Sequence, residues 1–239
     1  MRLQAALNGS RMPRDHPAVP VTPEALARDA AAVQRAGAQS LHFHPRDAQG
    51  RESLEPADVG AAIEAVRERV PGMPLGVSTG AWIRPGGPAR LMPIRRWQVL
   101  PDYVSVNVHE PEAENIIALM QARGVGVEAG IWTRAAAQRF VATRLPRYCL
   151  RALVEMTSDD PAEATAEAEA VLGILRDAGV TLPVLLHGQG GSVWTMVEMA
   201  AGRGLATRVG FEDGHRLPEG ALAASNAAMV AAAARIYRR

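Results

Sequence analysis

Short apolar segments and amphipathic segments alternate along this chain from end to end, and that alternation limits the fold more than any other feature. Strands are expected at Leu3–Asn8, Ser40–His44, Leu75–Ser78, Tyr103–Val108, Val125–Trp132, Tyr148–Met156, Val184–His187 and Thr207–Phe211. Helical segments separate them. One opens at Thr22-Pro23-Glu24, with Thr22 as N-cap, and closes at Ala36-Gly37. Another runs from Pro56 to Val70, and others cover Ala89–Trp97, Glu112–Arg123 and Thr133–Thr143. A long helix follows Ser158-Asp159-Asp160-Pro161, and the last two are Val193–Ala201 and Asn226–Arg238. Eight strand–helix units without a long linker point to an α/β fold, a (β/α)8 TIM barrel, as one domain over residues 1–239. A doubly wound open sheet is the alternative. It lacks a dinucleotide fingerprint here, because Asn8-Gly9-Ser10-Arg11 does not have the glycine spacing.

Composition narrows the function classes. Lys and Arg together number 26 against 25 acids, which leaves no basic surface for nucleic acid. The single Cys149 excludes an internal disulfide, and its neighbours Tyr148 and Leu150 make it a buried small residue rather than a nucleophile. No apolar run reaches the ~20 residues of a membrane span. The first residues lack a signal-peptide pattern, so a cytoplasmic location away from the membrane is expected.

The segment Ser40-Leu41-His42-Phe43-His44-Pro45 carries the strongest chemical signal. A strand has a side-chain period of two, so His42 and His44 share a face while Leu41 and Phe43 share the other. Pro45 ends the strand, which puts the pair at its C-terminal end, where barrels place their chemistry. Other strand ends supply Asn8, Ser78, Thr79, Asn107, Glu110, Glu155, His187, Glu212 and Asp213. Strand eight closes the barrel beside strand one, so a carboxylate from Glu212 or Asp213 comes near the two histidines. Two imidazoles, one carboxylate and an open position suit a catalytic zinc. As consecutive residues, Glu212 and Asp213 should point apart and serve separate roles. Arg208 needs a partner if it faces inward, and Asp213 or a substrate carboxylate would supply one. Glu128, in mid-strand, either pairs inside the barrel or acts as acid or base. His187 is a ligand, a substrate contact or an ordinary strand-end histidine. Gly188-Gln189-Gly190-Gly191 is either a phosphate loop or a tight turn.

Five stretches carry a further resemblance: Ala6-Leu7-Asn8-Gly9, His16 to Pro23, Gly37 to Gly50, Ser78-Thr79-Gly80, and Arg208 to Asp213. Through them the chain resembles the β-keto acid cleavage enzyme family, whose founding activity is 3-keto-5-aminohexanoate cleavage. The resemblance spans the whole chain. It implies a zinc-bearing barrel with one Zn2+ per chain held by His42, His44 and Glu212. It implies that a β-keto acid and acetyl-CoA give acetoacetate and an acyl-CoA. It implies a proton-abstracting dyad of Asp213 and Arg208, with Ser78 on the substrate carboxylate. Glu128 is the further catalytic expectation. Asn8, Arg11, Thr79, Asn107, Glu110 and His187 are the remaining expected substrate contacts. A homo-oligomer, dimer or tetramer, is the expected assembly. The alternative activity is a CoA-independent metal-dependent lyase or hydrolase on the same barrel.

Two positions depart from the founding pattern. Arg11 stands where the founding enzyme has a glutamate, and Gly130 stands where it has the second of two alternating strand-five glutamates. Both changes remove negative charge, so anionic β-keto acids without a basic amine, neutral or dicarboxylic, are expected.

Overall fold

A computed structural model describes residues 2–238; Met1 and Arg239, the ends of the expected domain, lie outside the described residues. Eight parallel strands close on themselves: β1 (Leu3–Ala6), β2 (Ser40–Phe43), β3 (Leu75–Ser78), β4 (Tyr103–Asn107), β5 (Gly126–Ile131), β6 (Arg151–Met156), β7 (Val184–Gly188) and β8 (Ala206–Val209). β8 pairs with β1, which closes the (β/α)8 barrel expected from the alternation.

Each crossover carries a helix whose ends are set by the residues found there. α1 (Pro23–Ala36) starts with Thr22 accepting from the Ala25 amide at 3.2 Å and stops at Gly37, whose φ of 115° suits a residue without Cβ. α5 (Arg134–Ala142) and α6 (Pro161–Asp177) use Thr133 and Asp160 the same way. α2 (Pro56–Arg69), α4 (Ala113–Ala122), α7 (Val193–Gly202) and α8 (Asn226–Ile236) complete the ring. Between β3 and β4 the expected single helix is a 3-10 turn, Gly87–Arg90, running into the short α3 (Leu91–Arg95). Pro93 removes one of the amide donors that a longer helix would need. Strand six begins three residues later than expected, because Leu145–Tyr148 forms a 3-10 turn around Pro146. Cys149 is buried there, and burial pushes its thiol up to about 12, which leaves it unreactive. No helix among the described residues is long and apolar enough to cross a membrane.

Outward-facing residues of the strands, among them Leu41, Phe43, Val77, Val104, Val106, Val127 and Val154, pack under the helices and are fully or almost fully buried. Each such side chain is worth ~1.5–3 kcal/mol relative to exposure. The interior at the N-terminal end is polar instead. Gln4 donates to the Tyr103 hydroxyl and to Glu128, both at 2.9 Å, and Arg151 donates to Glu128 and lies 5.3 Å from the centre of the Tyr103 ring. Tyr103 lies where a Cβ on Gly76 would sit, so only glycine fits opposite it.

Asn226 locks the closure behind the site. Its amide donates to the Leu7 carbonyl at 2.8 Å and to Asp29 at 2.6 Å, and its oxygen accepts from the Phe211 amide at 2.6 Å. Burial raises the Asp29 carboxyl to about 6, against the hydrogen bond from Asn226 that lowers it. A folded value above the unfolded one makes Asp29 favourable below about pH 4, and that contribution is lost as pH rises through about 6. Asp29→Asn keeps an acceptor for Asn226 and removes the charge. Thermal unfolding should show both proteins melting together near pH 4. Near pH 8 the variant should melt roughly 2–8 °C higher, from about 1–2 kcal/mol. Equal melting at both pH values would show that Asp29 pays no burial penalty.

Candidate active site

The C-terminal mouth of the barrel opens on a cavity of about 270 Å³. His42, His44, Ser78, Asn107, Glu155, Arg208 and Glu212 line it from the strand ends, and Arg11, Trp82, Trp132 and Gln189 line it from loops. Inward residues at alternate positions of the strands supply most of the polar groups, as the period of two requires.

His42 and His44 face each other with their Nε2 atoms 3.2 Å apart. Glu212 reaches both, Oε2 at 3.5 Å from His42 Nε2 and Oε1 at 3.4 Å from His44 Nε2. One ligand atom from each of the three lies within 4.8 Å of the others. Glu52 approaches the far side of His44, 2.5 Å from Nδ1, and the Trp82 indole donates to the same oxygen at 3.1 Å. With Nδ1 engaged, Nε2 of His44 is the atom turned toward Glu212, which is how a carboxylate behind a ligating histidine sets its tautomer. Asn8 seats the backbone: its amide donates to the His44 and Pro20 carbonyls, and its oxygen accepts from the His44 amide at 2.8 Å.

The electrostatics fit a cation at this point. Burial drives His42 down to about 3, so it stays neutral with a lone pair available. Burial also disfavours a charge on His44, but Glu212 and Glu52 outweigh it and hold that imidazole up at about 9. Glu212 is held well below the usual carboxylate range by Arg208 and both histidines in spite of its burial. Its Oε2 has no hydrogen-bond partner. Two imidazole nitrogens and an orphaned carboxylate oxygen converging on one point form a donor set suited to zinc.

Below the triad lies Arg208, 2% exposed. It donates to Glu212 Oε1 at 2.9 Å and to Asp213 at 2.7 and 3.1 Å. Glu212 and Asp213 were expected to diverge as consecutive strand residues. They share one guanidinium instead, because β8 ends at Val209 and the two lie in a turn. Asp213 is fully buried and does not line the cavity. His187, also fully buried, stands between Asp213 Oδ1 at 3.4 Å and Glu155 Oε2 at 3.5 Å. Burial and Arg208 push its pKa down, and Asp213 and Glu155 more than reverse this, so it is raised.

The remaining expected residues are placed less directly. Ser78 and Asn107 line the cavity. Thr79 is turned away, its hydroxyl donating to the Ser105 carbonyl. Glu110 is tied to Arg90 at 3.0 Å, to Asn107 at 2.9 Å and to the Ala81 amide, and does not line the cavity. Glu128 does not reach the mouth either. It lies one inward layer below Gly130 on β5 and pairs with Arg151, the inside-the-barrel reading of the two considered. A Cβ at Gly130 would meet the Asn107 side-chain oxygen, so a glutamate there would require the Asn107 side chain to move. Gly188–Gly191 includes a 3-10 turn. Its Gly190 and Gly191 amides donate to the Asp213 carbonyl and to Asp159, so neither is free for a phosphate. Sequence reasoning missed Glu52, Trp82, Trp132 and Gln189. Only Glu52 had a signal, since it follows His44 by eight residues in the loop that folds back through the Arg46–Glu52 bridge.

Comparison with known proteins decides the family. A sequence profile of the beta-keto acid cleavage enzymes matches residues 1–239. The chain belongs to that family. Membership makes it an enzyme of the carbon–carbon bond cleaving, acyltransferase type. It is 26% identical over 260 residues to a 3-keto-5-aminohexanoate cleavage enzyme of Fusobacterium nucleatum subsp. nucleatum, covering 99% of this chain and 90% of that protein. It is 36% identical over 80 residues to the 3-oxoadipate:acetyl-CoA acetyltransferase of Cupriavidus necator, covering 33% of this chain and 28% of that one. Among solved structures, ObcA in a ternary complex with a C4-CoA adduct and oxalate superposes with a TM-score of 0.69 at 20% identity, covering 90% of this chain. The chain spans 62% of the length of that structure, and the likeness establishes the shared barrel.

Proposed function

We propose that this enzyme converts a β-keto acid and acetyl-CoA to acetoacetate and the corresponding acyl-CoA, at one zinc ion held by His42, His44 and Glu212. The observation that carries the reading is the convergence of these three residues, backed by the buried Arg208–Asp213 pair, in a chain matched by the family over its whole length. The names of two relatives, a 3-keto-5-aminohexanoate cleavage enzyme and a 3-oxoadipate:acetyl-CoA acetyltransferase, support the substrate class and the co-substrate.

Zinc, when bound, supplies Lewis-acid polarisation of the ketone and carboxylate of the substrate. The protein supplies the rest. Ser78 and Asn107 present a hydroxyl and an amide at the cavity wall for the substrate carboxylate. Asp213 and Arg208 form the dyad that governs the proton on the carbon between the two carbonyl groups. Trp82 and Trp132, their ring centres 6.5 Å apart, wall the outer part of the cavity and limit water there. Arg11 lines the same cavity, and its guanidinium makes no ion pair among the described residues. Glu110 and Glu128, two acids near the mouth, are bound to Arg90 and Arg151. The acyl end of the site is therefore suited to a neutral or acidic substituent rather than an ammonium group.

Elemental analysis should find about one zinc per chain in protein purified with zinc, and His42→Ala should lose most of it without unfolding. Full zinc occupancy in that variant would remove His42 from the ligand set. Asp213→Asn should keep zinc and lose on the order of 10²–10⁴ in kcat with acetyl-CoA and β-keto acid, because it removes a charge the proton step needs and no ligand. Activity near that of the parent would separate Asp213 from the reaction. Neutral and dicarboxylic β-keto acids should give higher kcat/KM than 3-keto-5-aminohexanoate, since an ammonium group without its partner costs several kcal/mol. A preference for the amino compound would overturn the assignment of the acyl pocket.

A further inference from the structure

The two histidines of the triad are backed unequally. His42 Nδ1 has no hydrogen-bond partner among the described residues, whereas His44 Nδ1 lies 2.5 Å from Glu52 Oε1. The same oxygen accepts from the Trp82 indole at 3.1 Å. One carboxylate oxygen therefore joins a metal-site imidazole to the aromatic wall of the cavity. The His44 and Trp82 rings are tilted by only 27°, with centres 6.2 Å apart, and the Trp132 ring centre lies 6.5 Å from that of Trp82.

Both loops are built to present these side chains. After β2, Asp47 Oδ1 accepts from the Gln49 and Arg51 amides, each at 2.9 Å, and turns the chain back. The Ser53 amide then donates to the Pro45 carbonyl at 3.0 Å, which sets Glu52 beside His44. After β3, the Trp82 ring covers Gly80 so closely that a Cβ there would overlap it. A backbone bridge between Ser53 and Arg84 ties the two loops together, one residue beyond Glu52 and two beyond Trp82. Glu52 is 13% exposed, so its contacts are not the screened contacts of a surface carboxylate. Trp82 is about half exposed, and its place over the mouth depends on what holds its indole.

We infer that Glu52 is a positioning residue of the metal site: through one oxygen it orients His44 and holds Trp82 over the mouth, so that zinc binding and the placement of Trp82 are coupled. This rests on the zinc site proposed above and deepens it. A neutral imidazole carries one N–H. Donated from Nδ1 to Glu52, it leaves the lone pair on Nε2, the atom that faces Glu212. Without Glu52 the ring is free to turn or to carry its hydrogen on the wrong nitrogen. The indole of Trp82 uses the same acceptor, so whatever fixes Glu52 on His44 also fixes the outer wall of the cavity. Coupling of this kind is reciprocal: zinc orders Trp82 by as much as the Trp82 contact favours zinc.

Zinc affinity is measured on metal-free protein by competition with a chromophoric chelator, and acrylamide quenching of tryptophan fluorescence is read with and without zinc. The parent should bind about one zinc per chain, and zinc should lower the quenching. Trp82→Phe keeps a ring, removes the indole N–H and should abolish that zinc-dependent difference. Glu52→Ala should weaken zinc binding about 10–100-fold and lose the zinc-dependent change in quenching, with the metal-free melting temperature unchanged. Glu52→Gln keeps an acceptor for both donors and should recover part of each. Arg51→Ala removes the exposed Arg51–Asp47 pair of the same loop and should leave both readouts at parent values, which separates the role of Glu52 from loosening of the loop. Parent zinc affinity in Glu52→Ala, with zinc lost in His42→Ala, overturns the role of Glu52 and leaves the zinc site standing. A zinc-dependent change in quenching that survives in Glu52→Ala overturns the coupling. A parent that binds no zinc overturns both. Zinc binding that depends on Glu52, in a protein that transfers no acyl group between acetyl-CoA and any β-keto acid, sinks the proposed reaction and supports the positioning role.

Discussion

The site depends on one buried cation. Arg208 sits inside the barrel at 2% exposure, where an unpaired guanidinium would cost several kcal/mol. Glu212 and Asp213 neutralise it from the turn that follows its own strand, and together, Asp213 most, they keep it protonated against the penalty of burial. That demand for compensation is what brings two carboxylates down into the mouth. With Oε1 turned to Arg208, Glu212 leaves Oε2 toward His42, and the same contact keeps it ionised. The approach is close enough to dictate the neighbouring loop. Gly9 has φ 50° and a Cβ there would overlap the Glu212 side chain, so the β1 loop can pass only as glycine. Arg46 then pins that loop from below by donating to the Gly9 and Arg11 carbonyls, which sets where Arg11 enters the cavity. The positions of Glu212, the β1 loop and Arg11 thus follow from the pairing of a single arginine.

Much of this was legible before any coordinates. The alternation of eight units specified the barrel, the period of two put His42 and His44 on one face, and the closure of strand eight on strand one brought a carboxylate of the Glu212–Asp213 pair near them, with Glu212 chosen by the family resemblance. These are local rules applied along the chain, and a parallel barrel converts them directly into positions. What failed to read was depth and loop geometry. Alternation tells which way Glu128 points but not at which layer, and its partners Gln4 and Arg151 are 124 and 23 residues away. Glu52 and Trp82 reach the site from loops without periodicity, and their pairing through one oxygen depends on two crossovers meeting over β2. A strand running to Phe211 would part Glu212 and Asp213; β8 ends two residues earlier, at Val209, and in the turn they converge.

The same pairing logic explains how the compact site does without a glutamate at position 130. Removing a glutamate at position 130 leaves no hole, since Asn107 fills the space and its amide is in turn held by Glu110, which Arg90 anchors at 0% exposure. Three acids of the mouth that sequence alone would nominate are thereby bound to an arginine and kept out of the cavity lining. Glu110 is held by Arg90, Glu128 by Arg151 and Asp213 by Arg208. Glu155 is different: no arginine pairs with it among the described residues, its ionic neighbour is the buried His187, and it faces the cavity. An arginine keeps its proton at any working pH and so locks a carboxylate as an anion, whereas a histidine can give a proton and take it back. Glu155 is the one of these acids that faces the cavity, and the arginine-backed ones form a fixed frame around it.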